Sequence, residues 1–105
     1  MVVAQVSLVP VGTGSASVSD YVVSALNVLD RHPEVKYRLT PMGTVIEAGL
    51  DDLWPVIREM HEACFAAGAK RVILDLRIDD RRDKDLSMDG KISAVRRKKP
   101  DVRVE

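Results

Sequence analysis

Apolar and polar positions along this chain change rhythm repeatedly, and each change marks an element. Val2, Ala4, Val6 and Leu8 alternate with Gln5, Ser7 and Val9, the two-residue period of a half-buried strand. The run closes at Pro10 and the Gly12-Thr13-Gly14-Ser15 turn. From there the period lengthens: Val18, Val22, Ala25, Leu26 and Leu29 recur at helical spacing to about Asp30, with Ser17 placed to cap the helix and Pro33 preventing its continuation. Strand rhythm returns on both sides of Pro41-Met42-Gly43, which reads as a hairpin. With Met42-Gly43 at the tip, Thr40 faces Val45, Arg38 faces Glu47, and all four share one face of the sheet. Asp51 or Asp52 is expected to cap a second helix, with Pro55 in its first turn. Its apolar stripe is Leu53, Ile57, Met60, Cys64 and Ala67, ending at Gly68. Arg71 to Asp79 alternates again, Val72, Leu74, Leu76 and Ile78 facing inward. A weaker helix is expected over about Leu86 to Lys98, and the chain past Pro100 is expected to fray.

The order β-α-β-β-α-β defines an α+β class, the ferredoxin-like split βαβ arrangement: a four-stranded antiparallel sheet with two helices on one face, here with an extra C-terminal helix. The pattern predicts one domain over 1–99, with 100–105 as a tail. The helix-free face would carry Gln5, Ser7 and Val9 from the first strand and Arg71, Ile73, Asp75, Arg77 and Asp79 from the last. The hairpin adds Arg38, Thr40, Val45 and Glu47 to it. Paired charges among β-branched residues suit burial against a second subunit, with a polar ligand caught nearby.

Composition narrows the function classes. Sixteen basic residues balance sixteen acidic ones in 105 residues, so no global field favours nucleic acid or an anionic membrane. Cys64 is the only cysteine, which excludes an internal disulfide and a multi-cysteine metal site and suits a reducing cytoplasm. The first residues lack a basic leader and are too short an apolar run to cross a bilayer, so neither export nor an anchor is expected. His61 and Cys64 share a helical turn but offer only two ligands, so no metal is expected, and Cys64 reads as a small core residue. No nucleophile-histidine-acid arrangement can be assembled, which argues against hydrolase chemistry. The GTGSAS turn places backbone N–H groups and hydroxyls at a helix start, where a polar or anionic group could sit. It lacks both the third glycine of a dinucleotide fingerprint and the Walker lysine. Ile78 to Asp83 reads as a self-neutralising loop, and Arg96 to Lys99 as a solvated helix end.

Three segments in order, VPVGTGSASVSDYV, YRLTPMGTVIEA and RVILDLRIDDRRD, resemble the thiamine-binding protein family of small ferredoxin-like proteins. The likeness covers all but the tail. It implies a non-enzymatic cytoplasmic protein that forms a homotetramer, a dimer of dimers assembled through its sheets, and binds thiamine or a related pyrimidine without any other cofactor. Position by position, it implies ligand contacts at Gly12, Thr13, Ser15 and Ser17, at Met42, Gly43, Thr44 and Glu47, and at Arg77 and Asp79. Thiamine carries a permanent thiazolium charge and an aminopyrimidine with donors and acceptors. Glu47, Ser15 and Thr44 are the residue types such a ligand needs, with Met42 or Val45 against its ring. Two other readings stay open: a structural or regulatory homo-oligomer without a small ligand, and an enzyme acting on a phosphorylated metabolite at the GTGSAS turn.

Overall fold

The computed structural model describes residues 1–104. Its elements are β1 (Val2–Pro10), α1 (Ser19–Asp30), β2 (Lys36–Thr40), β3 (Gly43–Ala48), α2 (Leu50–Ala66), β4 (Val72–Asp79) and α3 (Met88–Lys98). The strands form one antiparallel sheet in the order β2-β3-β1-β4, so each helical crossover links a central strand to an edge strand, β1 to β2 through α1 and β3 to β4 through α2. This is the expected ferredoxin-like α+β fold with an added C-terminal helix.

Alternation decides which side chains enter the core. Val2, Ala4 and Val6 of β1 with Ile46 and Ala48 of β3 pack beneath Val28 and Leu29 of α1 and Leu53, Val56 and Met60 of α2. Leu74, Leu76 and Ile78 of β4 close this layer. Cys64 is fully buried and its thiol pKa is pushed up by that burial, which keeps it an inert apolar filler. Tyr37 turns to the same side, against the core, and its hydroxyl donates to Asp30 at the end of α1.

Three local expectations need correction. The hairpin turns one residue earlier than expected: Thr40 pairs with Gly43, Arg38 with Val45 and Lys36 with Glu47, leaving Pro41-Met42 and not Met42-Gly43 as the two-residue loop. Proline at the first loop position sets a negative φ, and no non-glycine residue has positive φ, so the turn closes in type I fashion. The Thr40 hydroxyl donates to Gly43 O at 2.7 Å across it. A slip of two residues preserves the face of every side chain but changes their neighbours. Ser17 does not cap α1: the N-cap is Val18, and the Ser17 N–H instead donates to Ser15 Oγ at 3.1 Å. Helix α2 begins at Leu50 behind Gly49, so Asp51 and Asp52 lie inside its first turn and Pro55 beyond that turn.

Helix α3 stands apart. None of its residues is buried, and the radius of gyration is 15.1 Å, against about 13 Å for a compact chain of this length. Its start is nonetheless well defined, because the Ser87 hydroxyl accepts from the Gly90 N–H at 2.9 Å as an N-cap.

Candidate functional site

The sheet face away from α1 and α2 is laid out in rows by strand register. One row runs Lys36, Glu47, Val3, Asp79; the next runs Arg38, Val45, Gln5, Arg77. Neighbouring strands lie about 4.8 Å apart, so Glu47 and Asp79, on opposite sides of Val3, are separated by two strand spacings on the same face. An open concavity of about 450 Å³ lies over the β1–β4 side of these rows, lined chiefly by Val3, Gln5, Val45, Arg77, Asp79 and, from α3, Lys91; Glu47 is not in its wall but neighbours Val3, which is.

Glu47 is 8% exposed, a charged group nearly withdrawn from solvent. Its enclosure comes from its own chain. Glu47 Oε1 accepts the Met88 N–H at 2.9 Å, so the carboxylate sits at the positive end of α3. Glu47 Oε2 has only the Lys36 ammonium, 3.9 Å away and largely exposed. Arg38, expected opposite Glu47, instead donates from Nη2 to Asp89 Oδ1 at 2.9 Å, and Lys91 pairs with Asp79. Three polar contacts thus pin the first turn of α3 to the outer sheet face, each to a residue in or beside the concavity. Val3 is 8% exposed although it belongs to the outer face.

The other candidate residues lie elsewhere. Thr13, Ser15 and Ser17 occupy the exposed turn after β1, where Gly12 and Gly14 adopt φ of +75° and +79° that a side chain would strain. Thr13 Oγ1 donates to Ser15 O at 3.0 Å, so these hydroxyls are partly spent on the loop itself. Met42, 83% exposed, and Gly43 are at the hairpin end of the sheet. Counted along the strands, Gly43 is four residues from Glu47, roughly 13 Å, whereas the turn that holds Thr13, Ser15 and Ser17 follows Pro10, seven residues from Val3 and roughly 23 Å away, too far for one small ligand to touch both that turn and Glu47. Thr44 is buried on the helix side between Val6 and Leu39, opposite in face to Glu47. The structure therefore puts Glu47 and Asp79 in one row of the sheet with Arg77 in the next, leaves Met42 and Gly43 at the hairpin, places Thr13, Ser15 and Ser17 beyond the far end of β1, and isolates Thr44.

Sequence reasoning missed Gln5, Lys36, Asp89 and Lys91. Ser87 followed by an acidic residue and Gly90 is a recognisable helix start, but nothing local ties it to Glu47, 41 residues earlier. Beyond β4 the Ile78 to Asp83 stretch behaves as a self-neutralising loop. Arg81 chelates Asp83 at 2.6 and 2.9 Å, and Arg82 pairs with Asp80, so hydrogen bonds to the guanidinium groups hold both carboxyls below the usual aspartate range. Among the described residues no helix is long and apolar enough to cross a membrane, and no cluster of three metal-ligating side chains occurs.

Fold and site together define a small ferredoxin-like protein with a solvent-open concavity of mixed charge on its sheet. Comparison with known proteins makes this more specific. Residues 4–96 match the family model described as thiamine-binding protein, and the chain belongs to that family. It is 45% identical to the UPF0045 protein YqgV of Bacillus subtilis over 98 residues, 90% of this chain and 94% of that one. A UPF0045 protein of Methanothermobacter thermautotrophicus is 40% identical across 93% of this chain and 99% of its own. Among solved structures, the hypothetical protein MJ1052 of Methanocaldococcus jannaschii superposes with a TM-score of 0.82 at 37% identity, covering 90% and 94% of the two chains.

Proposed function

We propose that this protein is a non-enzymatic cytoplasmic binder of thiamine or a related pyrimidine precursor, working as a homo-oligomer. The observation that carries this reading is the near-buried Glu47 carboxylate, one strand away from Val3 in the wall of a concavity that a second carboxylate, Asp79, also lines. A cationic ring system with an exocyclic amine needs that combination: an acceptor for the amine and a second negative charge for the cation. Glu47 Oε2 has no hydrogen-bond donor from within the described residues, whereas Oε1 is held by α3 and cannot turn away without a cost. Asp79 faces the thiazolium charge, Gln5 and Arg77 supply polar edges, and Val3 and Val45 flank the ring. Every aromatic side chain lies off this face, so carboxylates and aliphatic contact replace cation–π stacking.

The turn hydroxyls of Thr13, Ser15 and Ser17 would meet this concavity from a neighbouring protomer, whereas Gly43 flanks it within the same chain, two residues from Val45. A tetramer assembled as a dimer of dimers through the sheets would bring opposite ends of two chains together. The family match supports the ligand class, and the mixed outer face supports the assembly.

Calorimetric titration with thiamine, hydroxymethylpyrimidine and the thiamine phosphates tests the reading. Saturable heat is expected for at least one of them, with affinity roughly 10- to 100-fold weaker in Glu47→Gln, the range of one charge-assisted hydrogen bond. Silence toward all of them in the wild-type protein refutes ligand binding. It would leave the second reading, a structural or regulatory homo-oligomer, which the exposed Val9 and Ile73 on the sheet and Ile92 and Val95 on α3 favour independently.

A further inference from the structure

Overall neutrality hides a strong internal division of charge. Residues 84–105 hold seven basic side chains against four acidic ones, net +3, and residues 1–83 are correspondingly net −3. The cationic segment is not spread evenly over the surface. Lys84, Lys91 and Arg97 of this segment, joined by Arg81 from just before it, converge on a groove of about 310 Å³ between α3 and the loop that precedes it, and Asp85 is the only carboxylate in its lining.

We propose that this groove is an anion-binding site that takes the phosphate groups of a small phosphorylated molecule. Two of its cations are already neutralised, Arg81 by Asp83 and Lys91 by Asp79. Among the described residues, Lys84 and Arg97 have no carboxylate within ion-pairing distance, so an anion entering between them breaks no ion pair of theirs. An arginine offers paired donors matched to two phosphate oxygens, and a lysine offers a mobile point charge for a third. Gly90 and Ala94, one helical turn apart on α3, give the groove a low floor over which the longer side chains close. Its volume is at the lower end of small-molecule pockets, and no aromatic side chain lines it, so it suits a phosphate or diphosphate and not a stacked nucleic-acid strand.

The groove stands independently of the ring-binding reading above. A link between the two does rest on that reading: Lys91 lines both cavities, so a ligand whose ring lies on the sheet would pass its phosphate tail beside Lys91 toward Lys84 and Arg97.

Inorganic pyrophosphate is the probe, titrated calorimetrically and by ³¹P line broadening into the full-length protein at about 0.1 M salt, where diffuse surface attraction is largely screened. Saturable binding is expected in the wild-type protein, weakened about tenfold or more in Lys84→Gln and in Arg97→Gln. Arg96→Gln removes an equal charge from the side of α3 that does not line the groove and should change affinity by less than about twofold. Circular dichroism confirms that each variant is folded. Absence of saturable pyrophosphate binding in the wild-type protein, or equal weakening by Arg96→Gln, overturns the site. Pyrophosphate binding with silence toward thiamine removes the ring-binding reading alone; thiamine binding with silence toward pyrophosphate removes the anion site alone.

Discussion

Replacing Glu47 by alanine tests whether this carboxylate is the anchor of α3. The side chain is 8% exposed and its Oε1 accepts the Met88 N–H at 2.9 Å, so truncation leaves a helix-terminal donor without its partner and opens a void beside Val3. An orphaned donor of this kind costs about 1 to 3 kcal/mol, and loss of the favourable placement of a negative charge at a helix N-terminus falls within the same range. The rest of α3 buries nothing, so little else offsets the loss, and the effect should appear as local opening. Amide hydrogen exchange over Ile92 to Lys98 is the direct assay. Exchange there should accelerate roughly 5- to 150-fold in Glu47→Ala, the rate equivalent of that energy, while amides of β1 keep most of their protection. Glu47→Gln retains a carbonyl oxygen for the Met88 N–H and should accelerate α3 exchange far less. Unchanged α3 exchange in Glu47→Ala would refute the anchoring role. Equal acceleration in the two variants would show that the charge, not the hydrogen bond, holds the helix.

Two further outcomes follow from local geometry. His32 lies with Nδ1 3.0 Å from Glu34 and Nε2 2.7 Å from Glu59, so both ring nitrogens donate only when the ring is cationic, and these hydrogen bonds, Glu59 first, raise its pKa. A raised folded-state pKa means stability that is complete below the unfolded histidine value and is lost as pH rises through the folded one. Urea midpoints should therefore fall as pH rises from about 6 to 8, and this fall should vanish in His32→Gln; an unchanged slope would refute the clamp. Gly43→Ala would set a Cβ 3.0 Å from the Val6 carbonyl in a central strand, which cannot move cheaply. A destabilisation of about 1 to 3 kcal/mol is expected by urea denaturation, and a neutral result would show that the hairpin can shift to make room.

Which residues share a face was legible from the residues alone, because strand alternation has a period of two and even a two-residue slip of the hairpin leaves Arg38, Val45 and Glu47 together. The register itself was not legible. It depends on whether Pro41 or Met42 opens the turn, and on the Thr40 hydroxyl reaching Gly43 O, choices that differ by little in local propensity. Ser17 failed as a cap for a similar reason. Gly14 at positive φ redirects the chain so that Ser15, two residues earlier, takes the N–H that Ser17 presents. The site was half visible: Glu47 and Asp79 stand out as charges on apolar strands, but their partners Met88 and Lys91 arrive from a helix with no pattern pointing back to the sheet.

The way α3 is fastened constrains any ligand on the sheet. Arg38 and Asp79 each hold one side of its first turn, and Glu47 holds its terminus, so the groups that a cationic ring would seek are the groups that fix the helix. Their two demands are not equivalent. The Glu47 contact uses one oxygen against a backbone N–H and leaves the other oxygen available, whereas the Asp79 contact is an exposed ion pair of the kind that contributes about 1 kcal/mol or less. A cation entering the concavity can therefore displace the Lys91 ammonium at small cost while the Glu47 anchor stays closed. Lys91 lines both cavities, so on the ring-binding proposal its release would add a free positive charge to the proposed anion groove. On the two proposals taken together, a cation on the sheet and an anion on the helix side would favour each other through a single lysine, Lys91.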